Sequence, residues 1–172
     1  MLRLEHAAVK QLLFISSISV FGNRNQIETE TDLPEPDTES GQLLLEAETR
    51  LQTLKHTQVT ILRFGGLTGP GRDLSRQFAG RKNIPNGLAP VNLIHLDDCI
   101  GITRAIIQKK AFGKIYHGVA PQHPGRAVYY QNLCKQNRQE LPVFIMEKSA
   151  WKQIDSIHVP LMLNYQWQKN IL

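Results

Sequence analysis

Residues 14–22 (FISSISVFG) limit the possible folds of this chain more than any other segment. The apolar run that begins at Leu12 is typical of a strand that is covered on both faces of a sheet. It ends in a turn lined by Ser16, Ser17 and Ser19. A strand of this kind normally lies deep in a parallel sheet, after much of its domain, whereas here few residues precede it. We therefore expect a sheet of which this chain provides only the later strands.

The composition indicates a globular protein of the cytoplasm. The 172 residues are 41% hydrophobic and 20% charged, which suffices for one buried core. No apolar run approaches the ~20 residues of a membrane span. Glu5 and His6 lie where a signal peptide would be apolar. We therefore expect no membrane contact.

Charge and metal-ligating residues argue against several other classes of protein. The net charge of +5 comes from scattered basic residues without a nucleic-acid-binding motif, so we expect no nucleic-acid partner. The histidines show neither HExxH nor close pairing, and we expect no metal site. Cys99 and Cys134 lie far apart in apolar patterns, which predicts buried and reduced thiols.

Hydrophobic periodicity predicts strands that alternate with amphipathic helices. A polar loop is expected over residues 23–38, and Asp97 is expected to cap a helix. Arg63, inside a strand, is interpreted as a paired structural charge. The alternation predicts an α/β fold with parallel pairing and right-handed crossovers. The predicted strands are residues 12–16, 58–64, 91–95, 115–119 and 142–147, and the predicted helices are residues 40–54, 97–110, 127–138 and a short one from Ser149.

Three segments in fixed order carry a resemblance to a known family. They are residues 14–22, residues 61–72 (ILRFGGLTGPGR) and residues 91–98 (VNLIHLDD), with a predicted helix between the first two. Together they resemble the second half of an extended or atypical short-chain dehydrogenase/reductase of the NAD-dependent epimerase/dehydratase family. The subgroup they resemble most is related to sugar-nucleotide epimerases. The resemblance covers nearly the whole chain and fades after Leu141.

The resemblance implies a partial Rossmann-like fold, in which a doubly wound, mainly parallel sheet is joined by a small α/β substrate-type lobe. Residues 1–70 would form the remaining second half of the Rossmann-like domain, and residues 71–172 the lobe interleaved with it. Members of the family bind NAD or NADP at a glycine-rich turn before a helix, but no GxxGxxG occurs in this sequence. We therefore expect a truncated chain that lacks the cofactor-binding half and binds no cofactor tightly alone.

The resemblance also assigns site residues. The catalytic serine or threonine that hydrogen-bonds a substrate oxygen matches Ser17, and Arg72 follows a GPG turn from which it could reach a substrate phosphate. Without a ligand, Ser17 is explained as a turn serine, Arg72 as a solvated side chain and the glycines as a tight strand exit. The other assigned residues are Ile15 and Ser16 near the nicotinamide ribose, Gly65 and Leu67 at the nicotinamide, and Gly66 at the substrate.

Two catalytic positions of the family are changed in this sequence. The catalytic tyrosine falls at Ser40, and the lysine four residues later falls at Leu44. A serine hydroxyl is a far weaker acid than a phenol of pKa about 10, and leucine provides no cation to assist it. We therefore expect impaired catalysis, with Ser40 an ordinary residue of the first helical turn. Asp97 and Asp98 are explained by a cap and dipole role at the start of a helix.

Three functions remain open at this point. The chain is a non-catalytic remnant of an enzyme for a small, nucleotide-sugar-like substrate, or one half of a split oxidoreductase completed by a separate N-terminal half. In the third alternative it is an interaction module that docks through its helices and its open sheet edge. Residues 12–16 would form an apolar edge strand, which favours pairing or self-association. We therefore expect the isolated chain to be marginally stable and sticky.

Overall fold

The computed structural model describes residues 9–171, in which parallel strands alternate with helices. The strands of this part of the chain are β1 (Gln11–Ser17), β2 (Gln26–Glu28), β3 (Gln58–Phe64), β4 (Gly66–Thr68), β5 (Leu93–His95), β6 (Ile115–Gly118) and β7 (Lys152–Ile154). The α-helices are α1 (Glu39–Gln52), α2 (Leu96–Gln108), α3 (Arg126–Gln136) and α4 (His158–Leu163), and short 3-10 helices span Ile18–Val20 and Leu74–Gln77.

The central sheet has the strand order β1–β3–β6, and its strands are all parallel. The register places Ser16 opposite Arg63, and Arg63 opposite His117. Side chains in register point to the same face of a sheet, whereas the preceding residue of each strand points to the other face. Among the described residues β1 is an edge strand of this sheet. The fold therefore presents one sheet with two differently composed faces.

α1 packs on one face of the sheet and is positioned by its start. The hydroxyl of Thr38 accepts a hydrogen bond from the Gly41 amide at 3.2 Å, as favourable N-caps do. A side chain at position 41 would collide with the Ser19 carbonyl, so glycine permits the helix to approach the serine turn closely. Leu44 packs against the buried cluster that contains Phe21. The helix and the serine turn thus form one packed unit.

α2 and α4 cover the other face with apolar side chains. Ile102 and Ile106 of α2 pack on Leu62 and Tyr116 of the sheet, and all four are fully buried. Complete burial of an aliphatic side chain stabilises a fold by about 1.5–3 kcal/mol. This face therefore provides much of the hydrophobic core.

The segment that follows α4 is fastened to the start of α2 by one carboxylate. Asp98 is fully buried and accepts hydrogen bonds from the Tyr165 hydroxyl at 2.9 Å, the Gln168 amide at 2.8 Å and the Lys169 amide at 3.2 Å. A side chain at Gly101 would collide with the Tyr165 hydroxyl. Asp98 therefore acts beyond the dipole role expected for it, since it anchors a distant segment.

An aromatic cluster forms a second part of the core. It contains Leu93 of β5 and Tyr130 of α3, and two short parallel sheets, β2 with β7 and β4 with β5, complete the described strands. The rings of Phe78 and Tyr130 meet edge to face with centroids 4.4 Å apart, and Phe144 packs against both. No helix among the described residues is long and apolar enough to cross a membrane.

The structure confirms the α/β class, and β3 coincides with the predicted strand at residues 58–64. Cys99 and Cys134 are buried free thiols, and burial raises the pKa of Cys99 to about 11. The helix cap predicted at Asp97 is wrong, because the His95 ring accepts the Asp97 amide hydrogen bond at 3.1 Å and caps α2. The strand predicted at residues 91–95 begins only at Leu93.

Other local predictions are wrong because distant residues decide them. The strand predicted at residues 142–147 is reduced to one bridge, between Ile84 and Phe144. Its neighbouring segment contains Asn83 and Asn86 with positive φ, which interrupts regular pairing. The helix predicted near Ser149 is absent from the described residues, because the Asn86 side chain accepts the Ser149 amide and the chain continues into β7. The loop expected at residues 23–38 contains β2, which pairs with β7.

Candidate active site at the carboxyl ends of the central strands

The carboxyl ends of the three central strands meet at one edge of the sheet. Ser17 ends β1 and lies opposite Phe64, the last residue of β3. Gly65 follows directly, and its amide donates to the Gly118 carbonyl of β6 at 3.0 Å. Open α/β sheets bind their ligands outside the carboxyl ends of their strands. This edge is therefore the candidate site, and it brings Ser17 and Gly65 together.

Ser17 has a structural role at this edge. Its side-chain oxygen accepts the Ser19 amide at 3.1 Å and so caps the 3-10 helix Ile18–Val20. This hydrogen bond confirms its interpretation as a turn serine. The bond uses one lone pair of the oxygen and leaves the hydroxyl proton available for another acceptor. A catalytic role for Ser17 stays a prediction.

Ile15 and Ser16 precede the catalytic position but point to opposite faces of the sheet. Ser16 is buried, and its hydroxyl donates to Glu48 of α1 at 2.5 Å. That hydroxyl is therefore committed to the protein interior. Ile15 is 48% exposed, because no described strand lies beyond β1.

The glycines after β3 lie where the backbone passes close to β5. A Cβ atom at Gly65 would lie 2.8 Å from the Asn92 carbonyl oxygen, so this position requires glycine. Gly66 donates its amide to the same carbonyl at 2.8 Å and is itself exposed. Leu67 is 39% exposed. The tight strand exit is thus real, and it leaves accessible surface at residues 66 and 67.

Ser40 and Leu44 stand where the resemblance places a tyrosine and a lysine. Ser40 is exposed in the first turn of α1, 3.4 Å from the Thr38 hydroxyl. Leu44 is partly buried against the core that contains Val20 and Phe21. Leu44 therefore serves packing, and neither side chain supplies a phenol or a cation to Ser17.

A buried polar row crosses the sheet directly beneath the candidate site. Arg63 donates to Glu48 from Nη2 at 2.6 Å and from Nε at 3.1 Å, which confirms its prediction as a paired charge. The same Glu48 accepts the Ser16 hydroxyl. On the other side, Arg63 Nη1 lies 3.4 Å from His117 Nε2, and His117 Nδ1 lies 3.1 Å from the Asp155 carbonyl. Burial lowers the pKa of His117 to about 4, so the ring is neutral at pH 7.

Sequence reasoning missed two residues that shape this edge. The Asn92 side chain donates to the Lys152 carbonyl at 2.9 Å and accepts the Ile154 amide at 2.8 Å, so it fastens β7 beside the glycine exit. The Lys152 ammonium donates to the Phe21 carbonyl at the end of the serine turn. Burial lowers the pKa of Lys152, against the opposing effect of Asp37. For Asn92, the only signal in the sequence was its polar side chain inside the apolar run VNLI.

Arg72 lies apart from this edge, beyond β4, in an open groove that also contains Arg76.

In the part of the chain that the structure describes, no group of three His, Cys, Asp or Glu side chains could hold a metal ion. The close approach at Gly65 is made to the Asn92 backbone and the Val119 side chain, so the protein itself fills that space, and accessible surface lies at Gly66 and Leu67. The described residues contain no glycine-rich turn that opens a helix at this edge, so they do not fit the pyrophosphate of a dinucleotide.

Two curated proteins are similar to this chain in sequence. No family model matches the chain. Protein YeeZ of Escherichia coli strain K12 is 38% identical over 162 residues, which cover 93% of this chain and 59% of that protein. The corresponding protein of strain O157:H7 matches equally well. The chain thus spans 59% of the length of these curated relatives.

Solved structures extend the likeness to nearly all of the chain. A functionally unknown conserved protein from Silicibacter pomeroyi DSS has a TM-score of 0.85 at 16% identity, covering 98% of this chain and 66% of its own. UDP-glucuronic acid 4-epimerase from Bacillus cereus, in complex with NAD, has a TM-score of 0.80 at 20% identity, covering 97% and 58%. The fold is Rossmann-like. A dTDP-glucose 4,6-dehydratase from Bacillus anthracis, also with NAD, agrees at a TM-score of 0.72 and 14% identity, covering 92% and 57%.

Proposed function

We propose that this chain forms the substrate-side part of an NAD(P)-dependent active site of the epimerase/dehydratase kind, acting on a nucleotide-linked sugar. The observation that carries the proposal is the meeting of Ser17 and Gly65 at the carboxyl edge of a parallel sheet. The two named enzymes that share the fold were both solved with NAD, and their names specify nucleotide-sugar substrates. Residues 1–70 would form the remaining second half of the Rossmann-like domain, and residues 71–172 the substrate-type lobe interleaved with it.

Each site residue has a distinct proposed role. NAD or NADP, when bound, would accept and return a hydride. The Ser17 hydroxyl would donate its proton in a hydrogen bond to a substrate oxygen, while its own oxygen stays fixed by the Ser19 amide. Gly66 would lie against the substrate. The residues proposed to lie beside the nicotinamide or its ribose are Ile15, Gly65 and Leu67, together with the backbone of Ser16, whose hydroxyl is held by Glu48.

Turnover by this chain alone is expected to be weak. A serine hydroxyl can orient a substrate oxygen, but it exchanges protons poorly at neutral pH without a phenol or a nearby cation. Ser40 and Leu44 supply neither. The chain therefore retains positioning at this edge and lacks the family's general acid and base.

We further propose that a segment with a glycine-rich turn completes the cofactor site, as in a split oxidoreductase. β1 is an edge strand of the described sheet, and an edge strand offers unpaired backbone groups to a further strand. The half-exposed Ile15 beside that edge also favours a second candidate, a non-enzymatic interaction module or self-associating chain. The two candidates differ in what pairs with the free edge of β1. In the first it is a segment with a glycine-rich turn, and in the second it is another protein or a second copy of this chain.

Calorimetric titration with NAD+ tests the proposal. The chain alone should show no saturable binding at micromolar cofactor. The same chain, co-expressed with the portion of Protein YeeZ that lies outside the matched stretch, should bind. In that complex Ser17→Ala should lower turnover without weakening NAD+ binding, and Ser19→Ala serves as the matched control. Micromolar binding by the chain alone would contradict the split site, and self-association seen in sedimentation without any cofactor binding would favour the interaction module.

A further inference from the structure

We propose that the uncovered flank of α2 and the neighbouring face of β1 form a docking surface for a strand and a helix of a partner segment. This surface, called the apolar step below, has a wall of Leu96, Ile100 and Ile107 on α2 and a floor of Leu13 and Ile15 on β1. The three wall residues are 46%, 51% and 54% exposed, and Ile15 is 48% exposed. Contiguous exposed apolar patches mark interaction sites in soluble proteins.

The sequence of α2 places the three wall residues in one row. Residues 96, 100 and 107 recur at spacings of four and seven, so they lie within about 40° of each other around the helix. The buried residues Ile102 and Ile106 point instead into the core. α2 is therefore apolar on its buried face and again on one flank.

The other flank of α2 is already covered. A Cβ atom at Gly101 would collide with the Tyr165 hydroxyl, and Asp98 anchors the segment after α4. α4 begins over β6, where the His158 ring nitrogen Nδ1 lies 2.7 Å from the Ile115 carbonyl oxygen. Because the strand order is β1–β3–β6, the uncovered flank of α2 faces the opposite side, over β1.

The floor of the apolar step follows from the register of β1. Ile15 lies opposite Leu62 of β3, and Leu13 lies opposite Thr60, so both side chains point to the face that α2 covers. Leu13 is partly buried against the α2 core, whereas Ile15, nearer the candidate site, remains half-exposed. The floor and the wall therefore adjoin along β1.

The dimensions of the apolar step suit one α-helix. From Leu96 to Ile107 the axis of α2 rises about 16 Å, the length of three helical turns. Helices that pack side by side have axes about 8–10 Å apart, which is the width of two strand spacings in a sheet. A helix beside α2 would therefore lie over β1 and over the next strand.

The free edge of β1 can accept that next strand from the same partner. Among the described residues β1 is paired on one side only, and every strand of this sheet is parallel. Parallel neighbours are joined through a crossover that is usually a helix. One strand with its crossover helix would thus pair with β1 and fill the apolar step together.

A second copy of this chain fits the apolar step less well. Pairing of β1 with β1 across a two-fold axis separates the two copies of β3 by three strand spacings, about 14 Å. Because α2 packs on Leu62 of β3, the two α2 helices would be held beyond packing distance and the step would stay open. That the partner is the segment with a glycine-rich turn rests on the proposed function, whereas the fit of a strand and a helix does not.

Hydroxyl-radical footprinting tests the apolar step in the complex of this chain with the portion of Protein YeeZ outside the matched stretch. Relative to the chain alone, oxidation of Ile100 and Ile107 should fall about fivefold, since both side chains become packed in an interface. Leu161 is the matched control, because it is a 78% exposed leucine of α4 on the same face of the sheet. Its oxidation should not change.

A substitution in the wall tests the same surface by affinity. Ile100→Glu should weaken the complex about a hundredfold in sedimentation equilibrium, because it would bury a carboxylate without a partner. Leu161→Glu should leave the affinity unchanged. Both positions are exposed in the chain alone, and circular dichroism verifies that the variants fold.

Unchanged oxidation of Ile100 and Ile107 in a complex that forms would overturn the inference, and so would the absence of any complex at micromolar concentrations. Protection that grows with the concentration of the chain alone would also overturn it, since the occupant would then be a second copy. The footprint needs no cofactor. A protected step in a complex that binds no NAD+ would therefore contradict the proposed function and leave this inference standing, whereas NAD+ binding by a complex with an open step would do the reverse.

Discussion

Two neighbouring rows of side chains cross the central sheet, and they are stabilised by different interactions. One is held by paired polar groups and the other mainly by apolar packing. The polar row consists of Ser16, Arg63 and His117, which lie side by side on the face covered by α1. The apolar row, one residue earlier on each strand, consists of Ile15, Leu62 and Tyr116. Leu62 and Tyr116 are fully buried against α2, whereas Ile15 on the edge strand is 48% exposed. The comparison shows that a parallel sheet covered by helices need not be apolar on both faces. One face can carry charge, provided that every charged group is paired.

Substitutions in the two rows should therefore lower the stability of the protein for different physical reasons. The polar row depends on Glu48, which is 1% exposed and holds the guanidinium of Arg63 in a two-point ion pair. Removal of one partner leaves a buried charge without compensation. The apolar row depends on volume, because removal of a side chain leaves a cavity. Three measurements separate these mechanisms.

The largest effect is expected for Glu48→Ala. This variant leaves Arg63 charged and buried, and the free energy of unfolding should fall by about 4 kcal/mol. Urea denaturation followed by circular dichroism measures the loss. The double variant Glu48→Leu with Arg63→Met is the control, since replacing both charges by apolar groups should recover most of the stability. A double variant as unstable as Glu48→Ala would mean that packing, and not the unpaired charge, causes the loss.

A slightly smaller effect is expected for Leu62→Ala in the apolar row. Leu62 is fully buried between β1, β6 and α2, and a leucine-to-alanine cavity costs about 3 kcal/mol. Urea denaturation again provides the measurement, and this loss should not vary with pH. The matched control is Leu33→Ala, because Leu33 is 84% exposed and its loss should lie within about 0.5 kcal/mol. Equal losses in the two variants would contradict the assignment of Leu62 to the core.

The smallest effect is an acid sensitivity of the polar row. Burial lowers the pKa of His117 from 6.5 to about 4 in the folded chain. As the pH falls below about 6.5, the unfolded chain binds a proton that the folded chain refuses, so stability is lost as the pH falls toward about 4. At about pH 4.5 the loss should reach about 2–3 kcal/mol. Unfolding midpoints measured across this window test the expectation.

His117→Gln should remove this acid sensitivity, whatever its effect on stability at pH 7. His56→Gln should retain it, because the His56 side chain is exposed. The slope of unfolding free energy against pH is the quantity to compare. An identical slope in the two variants would assign the acid sensitivity to other groups.

The sequence predicts local features well and distant partners poorly. The bounds of β3 follow from its own apolar run, and they are confirmed. The partners of Arg63 lie 15 and 54 residues away, at Glu48 and His117, and no local pattern identifies them. Likewise, Asn86 determines the path of the chain near Ser149 from 63 residues away.

The candidate site shows the same division. The strand exits at Ser17 and Gly65 follow from apolar runs that end in serine or glycine, and the structure brings them to one edge. Whether these residues contact a cofactor or a substrate stays a prediction. Asn92 was missed because its function depends on a backbone 60 residues away, at Lys152.

Because Asp98 anchors the segment after α4, cleavage of that segment should affect the distant start of α2. The three hydrogen bonds to this carboxylate close loops of 67 to 71 residues, so they form only when distant parts of the chain have already assembled. A protease that removed residues 165–171 would withdraw all three donors together. The start of α2, and not the cut end, would then carry the uncompensated charge. Removal of this segment should therefore destabilise the first turn of α2 in a single step. Faster amide hydrogen exchange in that turn would show the effect.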